Sequence, residues 1–205
     1  MSNKIFFITG MSGSGKSTLL TNLIINAKFL VPVVRFTTRP KRPGEIDGKD
    51  YFFISNNEFE DMKNNNKFAE TETYCVSKDD NIYYKYGTYK NHINDSYMEE
   101  HEAFIMQGSI DVYIHLSSYY GSNRIIPILL MVDEKSVLKR AIDRCNTVNE
   151  IKSTCNRFIN DIDKYEYSNI YNVLDNITER NVFDSNKPVD EVIKEVLKFI
   201  HSKLN

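Results

Sequence analysis

Lys4-Ile-Phe-Phe-Ile-Thr9, running directly into Gly10-Met-Ser-Gly-Ser-Gly-Lys16-Ser17, is the stretch whose reading decides the fold. The first part is a short continuous apolar run with β-branched and aromatic residues, which reads as a buried strand. The glycines from Gly10 to Gly15 break it, and from Lys16 to Lys28 the residues Leu19, Leu20, Leu23 and Ile24 recur at helical spacing. Between strand and helix the residues fit G-x-x-x-x-G-K-[ST], the Walker A phosphate loop. Its glycines permit backbone conformations in which successive N–H groups converge on phosphate oxygens, and the helix adds its positive terminus. A chance Gly/Ser-rich turn would not set Lys-Ser in register with both a strand and a helix. The stretch therefore points to a nucleoside triphosphate, expected as ATP, held by Gly10, Met11, Ser12, Gly13, Ser14, Gly15, Lys16, Ser17 and Thr18. Lys16 is expected at the β- and γ-phosphates, with the Ser17 hydroxyl ligating Mg2+.

Outward from this loop, two further apolar strands are expected at Ala103–Gln107 and Ile125–Val132, each followed by a helical segment, Ile110–Tyr120 and Glu134–Cys145. Strands alternating with helices imply βαβ units: an α/β, three-layer fold with a parallel sheet and helices on both faces. Between Arg35 and Tyr86 the pattern changes. Tyr51–Ile54 reads as a strand, Ser55-x-x-Glu58 as a capping box opening a helix to Asn64, and strand-like pieces follow at Phe68–Cys75 and Ile82–Tyr86. This α+β stretch reads as an insertion into the parallel core. Thr147–Tyr165 is helical and polar, and Val189–Leu204 is a closing amphipathic helix.

Composition bounds the rest. The 205 residues fit a single domain, and the apolar share of 41% with a charged share of 26% excludes wholesale disorder. The apolar runs are far shorter than a membrane span, and no cleavable signal precedes the first strand. With 26 Lys+Arg against 28 Asp+Glu the net charge is −2, which argues against an extended nucleic-acid surface. Cys75, Cys145 and Cys155 lack CxxC spacing and read as reduced thiols of a cytoplasmic protein. The four histidines show no metal-ligand spacing.

The second constellation is Thr37-Thr38-Arg39-Pro40-Lys41-Arg42-Pro43-Gly44-Glu45, then Gly48, then Tyr51-Phe52-Phe53. A cluster of Arg35, Arg39, Lys41 and Arg42 alone is compatible with a solvated basic face. Two prolines stiffen this one, however, and planar guanidinium forks three residues apart suit a second phosphate bidentately. Together with the Walker A loop, this pattern resembles the guanylate kinase family, and the resemblance spans nearly the whole chain. It implies a P-loop kinase core (1–34, 89–139 and 165–205), an inserted nucleoside-monophosphate-binding lobe (35–88) and a small helical lid (140–164). It implies that Arg39, Arg42 and Tyr51 bind the GMP phosphate, that Glu70 reads guanine, and that Tyr86 and Thr88 line the base pocket. Arg140, Arg144 and Arg157 resemble lid arginines that close on the ATP phosphates, and Asn186 resembles an adenine contact. Lys16, Arg39, Arg140, Arg144 and Arg157 are the expected catalytic set, with Mg2+ as cofactor and ATP as co-substrate.

Glu70 has a physical reading beside the resemblance. Guanine presents two adjacent donors, N1–H and the 2-amino group, to a carboxylate with two acceptors, whereas adenine would leave the carboxylate unpaired; such a site rejects the wrong base by roughly 10⁴-fold. A solvated carboxylate at a strand edge is the bland alternative. Three departures from the family pattern stand out. Arg35 occupies the place of a small hydroxyl residue, Met106 and Gly108 fall by spacing where two aspartates are usual, and the Tyr74–Lys85 segment is lengthened. Asp111 lies one turn too late to replace them. If the Arg35 guanidinium lies in the base pocket, it offers donors to guanine O6, and inosine monophosphate is expected as a poor but detectable acceptor. The expected reaction is ATP-dependent phosphorylation of GMP or dGMP by a monomer or homodimer, with no nucleic-acid or membrane partner. Other readings of the same residues are a P-loop kinase of another phosphorylated acceptor, such as a ribose bisphosphate, and a noncatalytic phosphopeptide-binding module.

Overall fold

The computed structural model describes residues 4–77, 82–93, 101–166, 178 and 181–204. The apolar run after the amino terminus forms β1 (Lys4–Gly10), the middle strand of a five-stranded sheet. Around it lie β2 (Leu30–Pro32), β7 (Ala103–Gln107), β8 (Ile125–Met131) and β9 (Val182–Asp184), in the order β2-β7-β1-β8-β9. Every pairing in this sheet is parallel.

Alternation along β1 sends its side chains into two separate cores. Phe6 and Ile8 pack with Leu19 and Leu23 of α1 (Lys16–Asn26) and with Val192, Val196 and Ile200 of α6 (Val189–Leu204). Ile5 and Phe7 face the other way, onto Val112, Tyr113 and Leu116 of α3 (Ile110–Tyr120) and Val137 of α4 (Glu134–Ile142). Tyr165, the last residue of α5 (Val148–Tyr165), closes this second core. Each fully buried Phe or Leu contributes about 1.5–3 kcal/mol, so the two-sided packing holds the central strand and the loop that follows it in place.

The inserted stretch forms its own mixed sheet, ordered β4-β3-β6-β5, from β3 (Phe36–Thr37), β4 (Phe52–Phe53), β5 (Phe68–Ser77) and β6 (Ile82–Tyr89). Strand β3 runs parallel to β4 and antiparallel to β6, which is antiparallel to β5. Phe36 stacks on Phe52 and Phe68 on Phe59, each pair 4.7 Å between ring centres, giving the lobe an aromatic core. The expected capping box is present at α2 (Asn56–Asn64), with Ser55 accepting from the Glu58 N–H and Glu58 reaching back to the Ser55 N–H.

Differences from the sequence reading are local. Helices α1 and α4 stop at Asn26 and Ile142, short of Lys28 and Cys145, while β5 and β6 run on to Ser77 and Tyr89. Strands β2, β3 and β9, of two or three residues each, carry too little periodicity to be read from sequence. Residues 78–81 of the lengthened Tyr74–Lys85 segment lie outside the described residues. Cys75, Cys145 and Cys155 are all unpaired. Among the described residues no helix is long and apolar enough to cross a membrane.

Candidate active site

The loop between β1 and α1 owes its shape to glycines that cannot be replaced without collision. Gly10, Gly13 and Gly15 have φ of 152°, 93° and 94°. A Cβ at Gly10 would lie 2.6 Å from the Leu130 carbonyl oxygen, and one at Gly13 would lie 2.7 Å from that of Val137. Within this loop Lys16 Nζ donates to the carbonyls of Gly10 and Met11 at 2.7 and 2.9 Å. Burial lowers the Lys16 pKa to about 8; Asp161 and Glu72 oppose that shift, while Arg144 and Arg157 add to it. Two of the expected lid arginines therefore act on the loop lysine, together with two carboxylates that the sequence reading did not single out.

Asp161 is the more intimate of the two, because its Oδ2 accepts from the Ser12 N–H at 2.9 Å. One turn further along α5, Tyr165 Oη lies 3.0 Å from Thr9 Oγ1 and accepts from the Ile110 N–H at 3.0 Å. Helix α5 is thus docked by two side chains of one face, Asp161 on the phosphate loop and Tyr165 on the end of β1 and the start of α3. Arg157, Asp161 and Tyr165 follow an i, i+4, i+8 spacing, the signal that would have found the last two. On the loop's other side Ser185 Oγ donates to the Ser14 carbonyl at 2.6 Å, and Arg140 donates through both Nη atoms to the Ser185 carbonyl at 3.2 Å. Asn186 is exposed beside this contact and its N–H bonds Asp184. Thr18 is exposed on α1.

Ser17 Oγ lies 3.2 Å from both Oε1 and Nε2 of Gln107, at the carboxyl end of β7. Neither position marked by spacing for an aspartate reaches this point. Met106 is wholly buried in the core, and a Cβ at Gly108 would lie 2.7 Å from Phe7 Cζ. Asp111 is an exposed residue paired with Lys164. Among the described residues no three His, Cys, Asp or Glu gather as a metal cage. The donors present, one hydroxyl and one amide, fit a Mg2+ ion that keeps waters and takes most of its oxygens from phosphate.

In the lobe, Arg39 Nη2 pairs with Glu45 Oε1 at 2.6 Å and Nη1 donates to the Pro40 carbonyl, while the guanidinium lies over Tyr51 and Phe53. Burial alone would lower its pKa, but Glu45 reverses the effect and holds it raised. Arg42 is exposed, and its N–H donates to Glu45 Oε2. Its charge reaches Glu150, in the first turn of α5. Tyr51 packs edge-on against Tyr86. The structure therefore brings Arg39, Tyr51 and Tyr86 together and leaves Arg42 open to solvent.

Glu70 is only 6% exposed, which rules out the solvated strand-edge alternative. Its Oε1 accepts from Thr88 Oγ1 at 2.5 Å and from Arg35 Nη2 at 2.8 Å. Arg35 is itself buried and bridges to Glu72 Oε1 through Nη1 at 2.9 Å. Burial pulls its pKa down, but the two carboxylates outweigh that and hold it above the usual range. Glu72 Oε2 takes the hydroxyls of Ser109 at 2.8 Å and Tyr74 at 3.1 Å. The Tyr74 pKa is pushed up by burial and then by Glu72, so this hydroxyl stays a donor. Glu72 follows Glu70 by two residues on one strand and so shares its face, which is how sequence could have revealed it.

A parallel sheet with a phosphate loop at its central strand, and a separate lobe carrying arginines and a buried carboxylate, defines a P-loop kinase fold. A solved guanylate kinase from Anaplasma phagocytophilum shares this fold with a TM-score of 0.68 and 17% identity, over 99% of this chain and 87% of that one. The family model described as Guanylate kinase matches residues 2–201, and the chain belongs to the guanylate kinase family. A curated guanylate kinase from Novosphingobium aromaticivorans is 41% identical over 91 residues, which is 44% of this chain and 38% of the relative. Guanylate kinase 2, chloroplastic/mitochondrial, from Oryza sativa subsp. japonica is 33% identical over 141 residues, 68% of this chain and 46% of the relative. The chain thus spans less than half the length of these curated relatives.

Proposed function

We propose that the protein transfers the γ-phosphoryl group of ATP to GMP or dGMP. The observation that carries this reading is the pairing of two sites of opposite demand. One is a phosphate loop with Lys16 at its base; the other is a buried carboxylate, Glu70, beside Thr88 in a lobe that also presents Arg39 and Tyr51. A ribose bisphosphate would give Glu70 and Thr88 nothing to read, and a phosphopeptide module has no use for the phosphate loop.

In this reading the chain's residues supply alignment and charge rather than covalent chemistry. Backbone N–H groups from Gly10 to Ser17 cradle the triphosphate, and Lys16 turns from its loop carbonyls to the β- and γ-oxygens. Arg140, Arg144 and Arg157 gather charge from the lid side, with Thr18 and Asn186 at the margin of the ATP site. Arg39, Arg42 and Tyr51 hold the acceptor phosphate, while Glu70, Tyr86, Thr88 and Arg35 surround its base. The Ser17 hydroxyl would help to hold Mg2+, which would supply neutralisation of charge on the transferred group. The segments 35–88 and 140–164 close over acceptor and ATP respectively and exclude water. A reduced cytoplasmic setting fits the three unpaired cysteines.

A coupled assay of the purified protein with ATP and Mg2+ against a panel of nucleoside monophosphates tests the proposal. Turnover of GMP well above AMP, CMP and UMP is expected. Equal use of AMP, or no turnover of any nucleotide, rejects it.

A further inference from the structure

We infer that the base pocket reads the N1–H of a 6-oxopurine but not the 2-amino group, so that inosine monophosphate is an acceptor comparable with GMP. The inference rests on Glu70 being the base-reading carboxylate of the proposed function. It revises the expectation that inosine monophosphate would be a poor acceptor.

A carboxylate that reads both guanine donors needs an accepting oxygen for each. Here Oε1 already takes two, the Thr88 hydroxyl at 2.5 Å and Arg35 Nη2 at 2.8 Å. Two donors fill the two in-plane lone-pair directions of one carboxylate oxygen. Among the described residues no donor reaches Oε2, and Oε2 is not among the sealed, unpartnered side-chain atoms of the molecule. Among the described residues Glu70 therefore has one oxygen, Oε2, with no donor on it.

Arg35 cannot easily yield its place. Its second amino group is held by Glu72 at 2.9 Å, and Glu72 is held in turn by Ser109 and Tyr74. Swinging the guanidinium aside would leave a buried cation unpaired and strip Glu70 and Glu72 of their shared cationic partner, which is strongly unfavourable. A 2-amino group brought toward Oε1 would instead meet another donor.

The strength of base discrimination follows from what is left unpaired. A hydrogen-bonding site rejects an analogue lacking one group because the site's own polar atom is then orphaned. When inosine monophosphate binds this pocket, Oε1 keeps both its donors and nothing is orphaned. Adenine, with an acceptor at N1, still opposes Oε2 and is rejected. Glu72 and Arg35 thus act as specificity-determining residues, with Glu72 as the positioning residue that fixes Arg35.

The test is kcat/KM for GMP, inosine monophosphate and AMP in the wild type, in Arg35→Ser, and in the double variant Arg35→Ser/Glu72→Ala. The double variant also removes the extra carboxylate, so the test survives if the single variant does not fold. The wild type is expected to prefer GMP over inosine monophosphate by no more than about tenfold, and both over AMP by about 10²-fold or more. Either variant, with one donor removed from Oε1, is expected to raise the GMP preference at least tenfold, through the acceptor KM. A larger wild-type preference for GMP overturns the inference, as does an unchanged ratio in every variant that folds. Either result with good GMP turnover leaves the proposed function standing, whereas absence of GMP turnover defeats that function and this inference together.

Discussion

Lys16 illustrates how much a single side chain would have to change its company in the proposed reaction. In the structure its ammonium bonds the carbonyls of its own loop and its pKa is lowered to about 8, chiefly by burial. Lys16→Ala is expected to reduce phosphoryl transfer by about 10²–10³-fold while circular dichroism and the unfolding midpoint stay near wild type. The pH dependence has a definite sign. Between about 8 and the ordinary lysine value of 10.5 the unfolded chain binds the proton that the folded chain has lost, so this group makes stability rise with pH across that window. Triphosphate binding shows the opposite trend, because the phosphates require the protonated lysine. ATP affinity measured by calorimetry is expected to fall as pH rises through about 8, with proton uptake on binding; a flat profile from 7 to 9 contradicts it. Gly10–Ser17 was legible because its residues are contiguous and their roles follow from order alone. Glu72 and Asp161 were not, since a carboxylate becomes a neighbour of Lys16 only once a distant strand and helix are folded onto the loop.

At the scale of elements, α5 does more than cover the nucleotide site, because Asp161 sets an anion on the Ser12 N–H. An incoming phosphate competes with that carboxylate for the same face of the loop and is repelled by its charge. Asp161→Asn is expected to tighten ATP binding several-fold, and to move the alkaline limb of the binding profile to lower pH by removing a charge that supports protonated Lys16. Tyr165→Phe, which frees Thr9 Oγ1 and the Ile110 N–H, is expected to cost about 1–3 kcal/mol in chemical denaturation without that tightening. Equal ATP affinity in Asp161→Asn and wild type would show that the contact gives way without competition. The helices and long strands were readable from apolar spacing and from the capping pattern at Ser55. Strands β2, β3 and β9 were not, because their pairing is imposed by neighbours already in the sheet.

Across the whole molecule, the lobe joins the core through Glu72 on β5 and Ser109 at the start of α3, and Arg42 of the lobe acts on Glu150 of the lid. The inserted lobe, through Glu72, and α5, through Asp161, thus both act on the loop lysine. A chain of 205 residues folded as one body has an expected radius of gyration of about 17 Å. Small-angle scattering is expected to show contraction with GMP and a nonhydrolysable ATP analogue together, larger than with either alone. An unchanged radius with both ligands would mean that lobe and lid do not move. The three-layer core and the inserted lobe were legible because alternation and turn chemistry repeat over many residues. The charged bridges from Arg35 to Glu70 and Glu72 were not, because they join residues 35 and 37 apart in the chain across an intervening strand.

Gly108 against Phe7 limits the routes by which this site can change. An aspartate at 108 would have to push aside a ring that is wholly buried and packed edge-on against Tyr113. Gly108→Asp alone would lose stability before it gained any use for the new carboxylate, and shrinking Phe7 alone would open a cavity. Each step is harmful without the other. The residue pair therefore couples positions 7 and 108, and a side chain can be added at one only together with a compensating change at the other.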